Sequence, residues 1–125
     1  MATGDGLTPR QQERANVRRQ KAALLAVLDE AGLVESCDGD VPLAMHAALV
    51  AAPSRLVLAA LGDAVGDLRQ PNLPGTVDEY PNWRLPVADG TGRPLGVEEL
   101  LAHPGVRRLT ALLAEGVRST TSAVR

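Results

Sequence analysis

Residues 54–66 read SRLVLAALGDAVG, and the fold class turns on them. The apolar run 56–60 lies between Pro53 and Gly62. By length and boundaries it predicts a strand buried on both faces, the kind found in parallel sheets; a buried helical turn is the rival reading. Helical patterns stand on either side of it. A lone strand cannot satisfy its own ladder hydrogen bonds, so it needs neighbours that this sequence does not contain. The order helix, helix, strand, long loop, helix therefore points to a slice of an alternating β/α fold, largely helical as an isolated chain.

The helices announce themselves by their ends. Thr8, Pro9 and Gln11 predict a start: a capping threonine, a proline suited to the first turn and a glutamine able to reach back. That helix should run to Ala31, with Gly32 as its left-handed terminus. Leu24, Leu28 and Ala31 share a stripe that Val17 and Lys21 continue, while Arg14, Arg18 and Arg19 read as a solvated face. Residues 34–40 read as a loop. Asp40 and Pro42 then open a second helix, which Pro53 stops. Gly90, Gly92 and Pro94 mark a turn-rich connector whose Gly-x-Gly lacks the strand and third glycine of a dinucleotide site. A last helix covers 97–101, breaks at His103, Pro104 and Gly105, and resumes over 106–117. Residues 1–7 and 119–125 are expected to be loose.

Composition narrows the function classes. The chain has 125 residues, the length of one domain, with 45% hydrophobic and 22% charged side chains. A net charge of -2 gives no electrostatic footprint for nucleic acid or an acidic membrane surface. The N-terminus MATGDGLTPRQQ has no basic n-region or apolar h-region, and no apolar run approaches a bilayer span. Single Cys37 cannot form an internal disulfide, which suits a cytoplasmic protein. Only 2% of residues are aromatic, so the core is expected to be thin and the chain incomplete as a folding unit.

Both large rings, Tyr80 and Trp83, fall in residues 70–86, QPNLPGTVDEYPNWRLP, with four of the nine prolines, Pro71, Pro74, Pro81 and Pro86. A surface loop has no folding reason to collect them, so the stretch asks for a binding explanation. His46 and His103 lack metal-ligand spacing, and Ser54 lacks a nucleophile elbow. Cys37 sits among Glu35, Asp38 and Asp40, which disfavour a thiolate. No cofactor or metal site is expected. Asp78 and Glu79 are chain neighbours, an arrangement that suits turn or capping bonds. The facing carboxylates of retaining glycosyl transfer, about 5 Å apart, are arranged differently.

The run from Gln70 to Thr76, followed by Asp78, Glu79, Tyr80, Pro81, Asn82, Trp83 and Arg84, resembles the C-terminal signature of the bacterial 4-α-glucanotransferases, the amylomaltases of glycoside hydrolase family 77. Pro53 to Leu58 with Asp63, and Glu13 to Asn16 through Ala23, Leu24 and Leu25 to Gly32 and Leu33, extend the resemblance over roughly residues 10–115. It implies the C-terminal slice of a (β/α)8 TIM barrel, with residues 56–61 as the eighth strand. The loop 62–86 would then stand at the active-site end, where such barrels carry their chemistry. It implies that the family's three catalytic carboxylates lie upstream of this segment, so no catalytic residue is assigned here. Gly62 stands where the family usually has Gln or Glu.

The same resemblance implies α-1,4-glucans or maltooligosaccharides as partners, with the N-terminal part of the barrel as a further one. The residues expected to line the sugar groove are Pro71, Asn72, Gly75, Asn82, Trp83 and Arg84. Sugars offer hydroxyls and flat apolar faces, which amides, guanidinium groups and rings can meet, and the prolines stiffen the loop beforehand. A free-standing helical interaction module without catalysis is the alternative. It requires residues 56–61 to be covered within the chain.

Overall fold

In a computed structural model describing residues 8–122, the chain forms six helices and no extended sheet among those residues. Helix α1, Pro9–Glu30, starts as its sequence dictates. The Gln11 N–H donates to the Thr8 hydroxyl, and the Thr8 N–H donates to the Gln11 side-chain oxygen at 2.8 Å. Gly32 follows its end in the left-handed region at φ 69°. Of the expected stripe only Leu28 is buried; Val17 and Leu24 stay exposed.

The stretch expected as a loop at 34–40 is partly helical: α2, Leu33–Ser36, makes one turn. Its acceptors lie within four residues, with Ser36 and Cys37 N–H bonding to Gly32 and Leu33 carbonyls. Asp38 and Gly39 then both take positive φ, 55° and 78°, and reverse the chain into α3, Val41–Ala51. The Asp40 carboxylate caps α3 through the Leu43 N–H at 3.0 Å. Leu28, Cys37 and Ala44 form the small buried core here, with Leu33, Val34, Leu43 and Ala48 packed around it.

Residues 56–60 form no strand, contrary to the expectation drawn from their apolar run. The physical reason is the one that makes a lone strand unstable: among the described residues nothing beside them supplies ladder partners. Leu56 and Leu58 are 72% and 77% exposed. The helix α4, Leu61–Val65, takes the next five residues, so the loop begins after Gly66, not at residue 62. A tight turn follows the loop, closed by an isolated antiparallel bridge between Ala88 and Pro94.

Helix α5 is Val97–Ala102 and α6 is Pro104–Ser122. The break between them is narrower than expected: His103 alone is extended, and its Nδ1 accepts from the Gly105 N–H at 3.1 Å. Residues 119–122, expected to be loose, continue α6; the loose ends expected at 1–7 and 123–125 lie outside the described residues.

Two glycines set how closely α6 can lie against its neighbours. A Cβ on Gly105 would run into the backbone carbonyl of Ala64 in α4, and one on Gly116 would strike the Val50 side chain in α3. Arg108 adds surface ties from α6 to Asp38, Asp40 and the Cys37 carbonyl. Exposed ion pairs of this kind contribute little beside close packing.

Candidate functional site

The loop 67–88 has no regular secondary structure, so side chains must satisfy much of its backbone. Asp67 is the hub. One carboxylate oxygen accepts the Arg69 N–H and Nε, at 3.0 and 2.9 Å; the other accepts Arg69 Nη2 at 2.9 Å and the Ala88 N–H at 3.0 Å. Arg69 Nη2 also donates to the Pro86 carbonyl at 2.7 Å. The fork from Arg69, helped by its backbone N–H and that of Ala88, holds the Asp67 carboxyl well below the usual carboxylate range.

Between these ends the loop is closed by its own polar groups. The Asn82 side-chain oxygen accepts the Leu73 N–H at 2.7 Å, and its amide nitrogen donates to the Thr76 carbonyl and hydroxyl at 3.1 and 3.0 Å. The Trp83 N–H donates to the Pro71 carbonyl at 2.7 Å. The Tyr80 hydroxyl donates to the Gln70 carbonyl. Glu79 accepts the Val77 N–H at 2.8 Å, which lowers its pKa and gives it the turn role expected for the Asp78-Glu79 pair.

Trp83 sits at φ 59°, a left-handed conformation that costs a bulky residue on the order of 1–2 kcal/mol. The residue is 75% exposed. Folding alone has no use for a large ring held outward on a strained backbone.

A cleft of about 280 Å³ opens at the base of the loop, lined among others by Asp63, Asp67, Arg69, Gln70, Pro71 and Leu85. Asp63 also lies 3.9 Å from His46 Nε2. The other imidazole nitrogen, Nδ1, is 2.7 Å from the Pro42 carbonyl and so carries the proton as donor.

The expected groove residues thus fall into three groups. Pro71 is on the cleft wall, and its carbonyl fixes Trp83. Gly75 turns the chain at φ 85° with open space where a Cβ would be, so it serves the conformation and no close contact. The Asn82 amide is taken up inside the loop. The side chains of Asn72, Trp83 and Arg84 make no hydrogen bond among the described residues, and Asn72 is half-buried beside the cleft wall. The sequence alone does not mark Asp67 and Arg69. Their spacing of two is a weak local signal, and the partner that matters, Ala88, is 21 residues away.

Among the described residues no three His, Cys, Asp or Glu side chains come together as metal ligands, and no helix is long and apolar enough to cross a membrane.

The sequence model of the 4-alpha-glucanotransferase family matches residues 1–91. The chain is 41% identical over 121 residues to the 4-alpha-glucanotransferases of Mycobacterium bovis and Mycobacterium tuberculosis. That alignment covers 92% of this chain and 16% of each relative, so the chain spans about a sixth of their length. No solved structure matches it.

Proposed function

This chain belongs to the 4-alpha-glucanotransferase family, and we propose that it is the C-terminal share of a transferase barrel whose loop 70–86 forms part of an α-glucan groove. Residues 56–61 are then the last barrel strand, extended once neighbouring strands supply its ladder. The full reaction moves α-1,4-glucan segments between maltooligosaccharides with retention, through a covalent glycosyl-enzyme. Its carboxylates belong to polypeptide outside these residues, so this chain alone is inactive. A cytoplasmic setting goes with the reading, since Cys37 is a buried free thiol.

One observation carries it: an ordered loop beside a cleft leaves the side chains of Trp83, Arg84 and Asn72 without hydrogen-bond partners among the described residues and holds Trp83 outward. Ring face, guanidinium and amide are the three groups that a glucan engages. Titration with maltoheptaose, followed by the emission of the single Trp83, should give a saturable change. A flat titration of the chain would defeat the groove reading. Against the free-standing interaction module, which requires residues 56–61 to be covered within the chain, we weigh the exposure of Leu56 and Leu58.

A further inference from the structure

The bonds within residues 70–86 close the loop on itself, but they do not set where it stands on the helices. Tyr80 to Gln70, Trp83 to Pro71, and Asn82 to Leu73 and Thr76 all join loop to loop. The hydrogen bonds that join the neck before the loop, residues 67–69, to residues 86–88 beyond it run through one pair. Asp67 reaches the Ala88 N–H, and Arg69, held by Asp67, reaches the Pro86 carbonyl.

We propose that Asp67 is the positioning residue of this loop: gripping Arg69 and the Ala88 N–H, it fixes both ends of 70–86 and thereby where Asn72 and Trp83 face a glucan. The ligand in this statement rests on the α-glucan reading above; the geometry does not.

Three features favour a positioning role over sugar contact. All the Asp67 bonds above go to protein donors, four in number, which fills the lone pairs a carboxylate offers. Its side chain is only 11% exposed, although it borders the cleft. Arg69 uses its planar fork on Asp67 while the same Nη2 reaches Pro86, an arrangement a lysine cannot copy. Pinning both ends of a long loop also removes chain freedom that would otherwise have to be lost on binding.

The test uses the full 125-residue chain and three backbone amides read by hydrogen exchange: Ala88 at the neck, and Leu73 and Trp83 inside the loop. In Asp67→Asn and in the milder Arg69→Lys, all three should exchange at least tenfold faster while α3 amides keep their rates. Acceleration confined to Ala88 would make the bond merely local and overturn the proposal. Arg69→Lys keeps the charge and guards against outright unfolding of the first variant. Maltoheptaose binding, followed by Trp83 emission, should weaken at least tenfold in both variants. Equal affinity in variants whose loops have loosened would overturn it as well. If the wild-type chain itself does not bind, the glucan reading fails, and the exchange rates still decide the positioning role.

Discussion

Two irregular segments flank α4, and they solve the same problem in opposite ways. Residues 52–60 on one side are apolar except for Ser54 and Arg55, with Leu56 and Leu58 exposed and no ladder beside them among the described residues. Residues 67–95 on the other side are equally free of regular structure, yet nearly every turn in them is tied. Asp67, Asn82 and Asp89 each bind several backbone N–H or carbonyl groups. A polar segment can bring its own partners in its side chains. An apolar one must find them in other backbone, and that backbone has to be somewhere else.

Gly105→Ala should disturb both segments at once, because α4 is their common support. The new methyl would meet the Ala64 carbonyl oxygen, which is backbone and cannot swing aside. Overpacking of this kind costs about 1–3 kcal/mol. Ala gains at most about 1 kcal/mol over Gly in a helix, so a net loss of about 1–2 kcal/mol is expected, read from urea unfolding. Stability equal to wild type would show that α6 does not bear on α4 as tightly as the packing indicates.

Asn82→Ala is the next largest. It leaves the exposed Leu73 N–H and the half-buried Thr76 carbonyl without their side-chain partners, a local loss of about 1 kcal/mol. Exchange at the Leu73 amide should accelerate by about tenfold, while the helices are unaffected. Nothing comparable is expected from any single polar substitution at 52–60, and a similar loss there would erase the contrast.

The contrast also explains what the sequence makes legible. Thr8 with Gln11, Gly32, and Asp40 with Pro42 all act on backbone within four residues, so their types and spacing state the outcome. The run 56–60 states a preference but not its fulfilment, because strand formation depends on a partner that no local pattern contains. The loop could be read as ordered from its prolines, and Glu79 as a turn residue. That Asn82 would face inward and Trp83 outward could not, since both depend on which carbonyl each meets. Asp67 was silent for the same reason: its partner Ala88 follows after 21 positions.

Acid should release the tied segment piecewise. Asp89 accepts from the Thr91 hydroxyl and from the Arg93 and Thr91 N–H groups, which with the Arg93 charge lower its pKa to about 2. An unfolded aspartate titrates near 3.9. Because the folded value is depressed, the contribution of Asp89 is present in full above about pH 4 and fades as the pH falls through about 2. The Thr91 amide resonance should shift with that midpoint, while Ala88, bonded to the more strongly depressed Asp67, holds to lower pH. Reversal of that order would mean that Asp67 is not the tighter hub.

The smallest effect expected is the most informative about the apolar side. Leu58→Asp places a charge on a side chain that is already 77% exposed. In this chain alone the change should stay within about 0.5 kcal/mol, as for substitutions away from any packed contact. Binding of an apolar dye should fall, since exposed hydrophobic surface is what such dyes report. In the longer protein proposed above, the same residue lies in a barrel strand covered on both faces, where an unpaired carboxylate is strongly destabilising. Near-zero cost in the chain and a severe cost in the longer protein would locate the missing ladder at residues 56–61. A cost of several kcal/mol in the chain alone would mean that the segment already has a partner here, and the two irregular regions would no longer be opposites.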